Sequence, residues 1–200
     1  IILCQEVSHC FVTETHQTDY ISKTTGLSSV YSANKHRRQG HHGNATFTKH
    51  PIGFAKNHDI STNRLEKRGI LYTRVELGHK LVHVFNTHFG LNSRQRMKQL
   101  KQLTELIDQI TSPHEAVIVG GDFNDWNHKL HKHISLTNEL NCALEKNNMP
   151  KRSWPAWKPI LNLDRVYSRN IEVLTARYLT GSPWTYSSDH LPIEVTVKIG

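Results

Sequence analysis

The chain has 200 residues and a formal net charge of +8, from 25 lysines and arginines against 17 aspartates and glutamates. With 36% hydrophobic and 21% charged residues, its composition fits one globular, soluble domain over residues 1–200, and its apolar runs are too short to span a bilayer. A basic surface favours anionic partners such as nucleic acid, phospholipid headgroups or phosphorylated small molecules, and the charge does not choose among them.

The chain begins with the strand-like run IILCQEV and has no initiator methionine. We therefore expect that its natural N-terminus is missing, together with any targeting segment. Cys4, Cys10 and Cys142 are odd in number and match neither a disulfide framework nor a zinc site. Free thiols in a reducing compartment are expected, which favours a cytoplasmic protein.

The first half of the chain predicts mainly strands. Residues 1–7 form a buried strand that ends at Gln5-Glu6, residues 12–32 are polar and mixed, residues 34–44 are a basic, histidine-rich loop, and residues 45–52 are a strand closed by Pro51. Residues 69–77 alternate between apolar and polar side chains, and the strand-like residues 80–89 follow after the turn LGHK, which predicts a hairpin.

The clearest helix covers residues 92–111, because its apolar residues recur at steps of three and four. Asn92 and Gln95 resemble an N-cap pair at its start. A buried strand at 116–122, a shorter helix around 135–146 and three strands at 161–169, 171–179 and 191–199 follow. This order predicts an α/β protein with antiparallel strand pairs.

Polar residues stand at the ends of several predicted strands. Burying them there would cost free energy, which is expected only if they have a functional role. They are Glu6, Asn86, His88, Asp122, Asn124, Asp164, Asp189 and His190. Each is weak evidence alone, since a glutamate at a strand end is more often solvated. The stretch VIVGGDFNDW (117–126) is more specific, because its glycines allow close approach of the backbone to a ligand. If the ends converge, the set suits one divalent, oxygen-preferring cation and phosphoester hydrolysis.

Six segments in this order resemble the endonuclease/exonuclease/phosphatase superfamily: LCQEV, GNATFTKHPI, NTHFGL, VGGDFNDW, LDRVY and SSDHLPI. Its members include DNase I-like nucleases, apurinic endonucleases, sphingomyelinases and inositol-polyphosphate phosphatases. Within it, the chain is most similar to small uncharacterised bacterial members. The resemblance implies a DNase I-like fold, a four-layer α/β sandwich of two mixed β-sheets flanked by helices. It also implies an Mg²⁺- or Mn²⁺-dependent phosphoesterase.

Four residues receive roles at the metal and phosphate from this resemblance. Glu6 matches the metal-binding glutamate of the family. Asp122 and Asn124 match the pair that orients or activates the attacking water and holds the phosphate. Asn44 matches an asparagine near the phosphate, which makes it a substrate-binding residue.

The remaining implied roles concern proton handling. His88 matches a histidine near the leaving group, Asp189 a carboxylate on the metal side, and His190 a histidine that contacts the phosphate or acts as a base. Asp164 matches the acid that fixes the tautomer of that histidine, so we predict a hydrogen bond between Asp164 and His190. The family usually has a preceding strand with a metal-binding asparagine. Without an equivalent, the 200-residue form should bind metal weakly and have little activity.

Three hypotheses stay open for a chain expected to be monomeric: a nuclease, a phospholipid or small-molecule phosphoesterase, and a non-catalytic binding domain on the same fold. The intact set of polar residues argues against the third. Trp154, Trp157 and Trp184 lie near the predicted edge and could stack a base or a lipid headgroup. Aromatic residues in loops that fold back on a sheet more often pack, and packing is the prediction for these three.

Overall fold

A computed structural model describes residues 1–13, 15–134, 137, 139–145 and 152–200. In this part of the chain it contains twelve β-strands and four helices. Four of the strands form a small sheet and six form a large sheet, and the remaining two form a ribbon.

The small sheet has the strand order β2-β1-β4-β3, and its pairings are antiparallel. Its strands are β1 (Ile2–Cys10), β2 (Thr15–His16), β3 (Ser28–Arg37) and β4 (Gly40–Thr48). Helix α1 (Gln17–Thr25) packs against β1 and β3. Buried Val7, Ala45 and Phe47, with partly buried Ile21 of α1, form the apolar cluster between this helix and the sheet.

The large sheet has the order β5-β6-β7-β8-β10-β9, in which β7 and β8 are parallel and their neighbours antiparallel. Its strands are β5 (Ile52–Asp59), β6 (Gly69–Leu77), β7 (Lys80–His88), β8 (Ala116–Asp122), β9 (Asn141–Cys142) and β10 (Asp164–Arg169). The predicted hairpin of β6 and β7 is confirmed.

Helix α2 (Ser93–Ile110) crosses back between the parallel strands β7 and β8. Its apolar stripe, with Leu100, Leu103 and Ile107 buried, packs on the large sheet. Asn92 caps its start, and the Asn92 side chain accepts a hydrogen bond from the backbone N–H of Arg94 at 2.9 Å. The periodic pattern of the sequence therefore predicted this helix correctly.

Three further elements complete the described chain. Helix α3 (Lys129–Ile134) contacts α2, and β11 (Glu172–Tyr178) pairs with β12 (Ile193–Lys198) in the ribbon. The short helix α4 (Trp184–Ser187) lies between β11 and β12. In the described residues, no helix has both the length and the apolar character needed to cross a membrane.

The layers agree with the predicted four-layer α/β sandwich. β1 faces β7 and β8, and β4 faces β6 and β7. Buried Val75, Val82 and Val84 of the large sheet meet Leu3 of β1 in an apolar cluster between the sheets. Because α1 covers the small sheet and α2 the large one, the two sheets lie between helices. The fold class is confirmed.

Two local predictions are wrong. Residues 34–44 are the hairpin of β3 and β4 rather than a loop, since His36 pairs with His41 and Arg37 with Gly40 across the strands. The helix predicted around 135–146 is absent from its described part, where β9 pairs Cys142 with Tyr167 of β10. Residues 135, 136, 138 and 146 lie outside the described residues.

Candidate active site

Three site residues lie in register on adjacent strands of the large sheet. Asp122 of β8 is opposite His88 of β7 on one side and opposite Asp164 of β10 on the other. Because β7 and β8 end at this edge of the sheet and β10 begins there, the three side chains converge although they are far apart in sequence. Nε2 of His88 lies 3.4 Å from Oδ2 of Asp122.

His190 joins this row through Asp164. Its Nδ1 donates to Oδ2 of Asp164 at 2.6 Å, so the predicted hydrogen bond is confirmed. Burial opposes protonation of the ring. The hydrogen bond to Asp164 and the charges of Asp164, Asp122 and Asp189 outweigh it and raise the pKa of His190 to about 9. The ring is therefore an imidazolium at neutral pH, with a proton on each nitrogen.

The pKa values of Asp122 and His88 are shifted in opposite directions, mainly because both side chains are buried. Burial and then the neighbouring carboxylate of Asp164 raise the pKa of Asp122 well above the usual range of an aspartate. Burial, helped by the positive charge of Arg68, lowers the pKa of His88 to about 3. His88 is thus a neutral imidazole beside a carboxyl group that titrates much closer to neutrality than an ordinary one.

Asn124 is fixed by the chain around it. Its backbone adopts a φ of 48°, in the left-handed region. Its backbone N–H donates to Oδ1 of Asp122 at 2.8 Å, and its Nδ2 donates to the carbonyl of Phe89 at 2.9 Å. Asn124 therefore orients Asp122 and ties the end of β8 to the loop after β7.

The glycines before Asp122 serve the packing of the sheets. At Gly121, where φ is 142°, a Cβ atom would lie 1.9 Å from the carbonyl oxygen of Thr87. At Gly120 it would lie 2.7 Å from a methyl of Leu3 in the facing sheet. Close approach to protein neighbours rather than to a ligand accounts for both residues, which corrects the sequence-based interpretation.

Glu6 reaches the site from the small sheet. It lies at an irregularity of β1 between Cys4 and Val7, with a φ of 56°, and its side chain is 61% exposed. Its Oε1 is 4.0 Å from Nδ1 of His88. The bulge therefore points a solvated carboxylate at the edge where His88 and Asp122 meet.

Glu6 and His88 also line a small pocket between the two sheets. Its lining residues are Glu6, Asn34, His42, Gly43, Asn44, Lys67, Arg68 and His88. Nδ2 of Asn44 donates to the carbonyls of Gly69 at 3.0 Å and Asn86 at 3.2 Å. Oδ1 of Asn44 is buried and has no hydrogen-bond partner in the described chain. A buried amide oxygen without a partner is a candidate ligand atom.

Lys67 and Arg68 are the site residues that sequence reasoning missed. Nη2 of Arg68 donates to Oε1 of Glu66 at 2.9 Å, and its buried Nε has no partner in the described residues. The basic segment EKRG (66–69), which leads into β6, could have indicated them, because β6 begins at the same edge of the sheet where β7 ends. Two cations here supply positive charge for an anionic group.

Two further aspartates, Asp189 and Asp125, do not line the pocket of Glu6 and His88. Asp189 is exposed next to His190, and its backbone carbonyl accepts a hydrogen bond from Ala156 at 2.7 Å; it is not one of the residues that line the pocket of Glu6. Asp125, the second acid of the GDFND motif, is buried against Arg165, with Oδ2 at 2.8 Å from Nη1. Asp125 therefore belongs to the core.

The donor atoms fit a hydrated, oxygen-preferring cation. In the part of the chain that the structure describes, no three histidine, cysteine, aspartate or glutamate side chains are arranged to hold a metal ion. Mg²⁺, however, keeps several waters and takes one or two carboxylates from the protein. The solvated carboxylate of Glu6 and the unpartnered Oδ1 of Asn44, which line one pocket, match that requirement.

Comparisons with known proteins show the family and the fold. A model of the endonuclease/exonuclease/phosphatase family matches residues 8–190. The uncharacterized protein YbhP of Escherichia coli is 32% identical over 189 residues, which cover 93% of this chain and 74% of YbhP. An endonuclease/exonuclease/phosphatase from Bacteroides vulgatus has a TM-score of 0.80 at 14% identity, covering 98% of this chain and 83% of its own. A mannosyl-6-phosphatase from Bacteroides thetaiotaomicron has a TM-score of 0.75 at 15% identity, and the match covers 96% of this chain and 83% of the phosphatase chain.

Proposed function

The chain belongs to the endonuclease/exonuclease/phosphatase family, and on that premise we propose that it is a divalent-metal-dependent phosphoesterase. The observation that carries this proposal is the row of His88, Asp122 and Asp164 on three adjacent strands, completed by His190. Phosphoryl transfer depends mainly on positioning and on charge neutralisation, and rigid strand ends supply both.

Asp122 is the proposed proton acceptor for the attacking water. Its pKa is raised by burial and by Asp164, and a general base works best when its pKa is near the operating pH. The backbone N–H of Asn124 holds one carboxyl oxygen, which leaves Oδ2 on the side of His88. Asp122 can therefore take a proton in the low-dielectric interior of the site.

His190 is the proposed stabiliser of the phosphoryl oxygen. Since its pKa is raised to about 9, it carries a positive charge at neutral pH, and its hydrogen bond to Asp164 fixes the ring. A preorganised charged donor stabilises negative charge that develops in the transition state. His88, which is neutral, is placed to share a proton with the leaving group, and Arg68 adds a second cation.

Glu6, with the amide oxygen of Asn44, is the proposed ligand pair for Mg²⁺ or Mn²⁺. A divalent cation there would act as a Lewis acid and neutralise charge on a phosphoryl oxygen. Asp189, the other metal ligand that the family resemblance implies, is not among the residues that line this pocket, and its role stays a prediction. Both phosphodiester and phosphomonoester bonds fit this arrangement, and the net charge of +8 is compatible with a nucleic-acid substrate.

A substrate panel tests the function directly. We would incubate the full-length protein with bis-nitrophenyl phosphate, nitrophenyl phosphate, plasmid, RNA and phospholipid vesicles, each with Mg²⁺, with Mn²⁺ and with excess chelator. Metal-dependent hydrolysis of at least one of them is expected. If none is hydrolysed, the alternative of a non-catalytic domain on this fold replaces the proposal. Full activity in excess chelator would instead show that the histidines work without a metal.

A further inference from the structure

Large apolar side chains are exposed on the loops that surround the candidate site. We call them the rim patch: Leu65, Leu91, Trp157, Ile160, Trp184 and Tyr186. Leu65, Trp157 and Tyr186 are 87%, 72% and 85% exposed. Packing against the sheet is the prediction for Trp157 and Trp184; the exposure of Trp157 shows that it is wrong there, whereas Trp184 is only 39% exposed. Bulky apolar groups gathered at one edge of a soluble protein often mark a binding surface.

The strand ends place these loops at the same edge as the site. The loop with Leu65 precedes β6, and the loop with Leu91 follows His88 at the end of β7. The two loops are joined by the N–H of Leu91, which donates to Oε1 of Glu66 at 3.2 Å. Leu65 and Leu91 of the rim patch therefore lie beside His88.

The aromatic residues of the rim patch lie on the other side, beside His190. The segment with Trp157 is joined to the segment that follows Trp184 and Tyr186, because the N–H of Ala156 donates to the carbonyl of Asp189 at 2.7 Å. Asp189 directly precedes His190. The two groups thus flank the site and do not lie on a remote face of the protein.

Basic side chains accompany the apolar ones on these loops. Arg64 and Lys158 are exposed, and Lys67 and Arg68 line the neighbouring pocket. The acids on the same loops are Glu66, which forms an ion pair with Arg68 at 2.9 Å, and Asp189. The four basic residues outnumber these two acids, so the loops carry a net positive charge that complements an anionic surface.

The residue types favour a bilayer over a nucleic acid. Tryptophan and tyrosine bind at the interface between headgroups and acyl chains, and leucine and isoleucine gain free energy by entering it. A single-stranded nucleic acid would use the aromatic rings for base stacking, but aliphatic side chains offer no such stacking. Leu65, Leu91 and Ile160 are aliphatic, so half of the rim patch would serve no purpose on a nucleic acid.

We propose that the rim patch binds the surface of an anionic phospholipid bilayer, with the candidate site facing the headgroups. The aromatic and aliphatic side chains enter the interface, and Arg64 and Lys158 contact the anionic headgroups. Binding itself does not depend on catalysis. The further step, that a headgroup phosphoester is the substrate, rests on the proposed function.

Vesicle sedimentation tests the binding without any turnover. Phosphatidylcholine vesicles are compared with phosphatidylcholine–phosphatidylglycerol vesicles, in chelator. We expect the protein to sediment with the anionic vesicles. Trp157→Ala should lower the partition coefficient about tenfold, and Lys158→Glu should lower it at least about fivefold. Leu81→Ala and Lys80→Glu are matched controls, because both lie at the opposite end of β7, and they should leave the coefficient unchanged.

The proposal would be overturned by the absence of a preference for anionic vesicles, or by equal losses of binding in the rim and control variants. Binding of a single-stranded oligonucleotide that depends on Trp157 and exceeds vesicle binding would also overturn it, in favour of a nucleic-acid surface. Hydrolysis of soluble bis-nitrophenyl phosphate needs no membrane, so it tests the proposed function separately from vesicle binding. Trp157→Ala should change the rate of this hydrolysis less than about twofold. If vesicle binding holds and no phosphoester is hydrolysed, only the proposed function fails.

Discussion

Nδ1 of His190 lies 2.6 Å from Oδ2 of Asp164, and this hydrogen bond joins two residues that are 26 positions apart. It anchors the loop between β11 and β12 to the start of β10. Because the contact raises the pKa of His190, it couples the protonation of the site to the stability of the fold.

The stability of the protein should therefore fall as the pH rises towards 9. The pKa of His190 is raised from 6.5 to about 9 in the folded state, so its stabilising contribution is fully present below pH 6.5 and is lost as the pH rises through 9. Asp164→Asn removes the partner and should flatten this dependence. Urea unfolding midpoints between pH 8 and 9.5 measure it, a window that lies above the pKa of Asp122, which burial raises to about 7. If the stability of Asp164→Asn depended on pH as steeply as that of the unmodified protein, the Asp164–His190 contact would not be the cause of the dependence.

Asp122→Asn should lower the turnover number by about 100-fold or more while the protein stays folded. An amide cannot accept the proton of the attacking water, and a positioned general base contributes about 10²–10⁴-fold to a rate. Steady-state kinetics with the substrate that the panel identifies give the turnover number, and circular dichroism confirms the fold. Retention of most of the activity would place the base elsewhere.

Asp125→Asn, in the same motif, is the matched control and should act on stability. Asp125 is buried and its carboxylate pairs with buried Arg165 at 2.8 Å. Removing one partner of a buried ion pair leaves an uncompensated charge and destabilises by about 3–5 kcal/mol. The free energy of unfolding from urea titrations checks this value. A stable Asp125→Asn protein with lost turnover would show that Asp125 belongs to the site.

The contrast between these two aspartates shows what the sequence could and could not predict. Strand alternation and the helical stripe of 92–111 are local patterns, and they predicted β6, β7, β8 and α2. The direction in which Asp125 points depends on Arg165, which is 40 positions away, and no local pattern contains that information. The same holds for residues 34–44, whose basic composition favoured a loop although cross-strand pairing with β1 holds β4 in the sheet.

The candidate site was predictable where a motif marked a strand end. Glu6, His88, Asp122, Asp164 and His190 all lie at the edge that the motifs predicted. Arg68 was missed because it precedes a strand instead of following one, and only the antiparallel pairing of β6 with β7 brings it to that edge. Residues on a neighbouring loop are visible only once the strand order is known.

Gly121→Ala should destabilise the protein strongly. The backbone at Gly121 has a φ of 142°, and a Cβ atom would lie 1.9 Å from the carbonyl oxygen of Thr87, so strain and a clash add to more than about 3 kcal/mol. Gly78→Ala is the control, because Gly78 has a φ of 63° and a Cβ atom there would meet no other atom within 4 Å. Its free energy of unfolding should fall by only about 1 kcal/mol. Thermal unfolding compares them, and equal losses would refute the packing explanation.

Glu6→Gln should weaken the binding of a divalent cation without unfolding the protein, since the Glu6 side chain is 61% exposed. Mn²⁺ is the probe, because its unpaired electrons broaden the NMR signals of nearby groups whether or not turnover occurs. In the unmodified protein Mn²⁺ should broaden the ring signals of His88, which lies 4.0 Å from Glu6. Glu6→Gln should need at least about tenfold more Mn²⁺ for the same broadening, because the site loses its charged oxygen ligand. Glu105→Gln, on an exposed face of α2 beside Lys101, should leave the Mn²⁺ dependence unchanged. Broadening of His88 that is identical in Glu6→Gln would place the cation on other ligands, and Asp189→Asn would then be the next variant to measure.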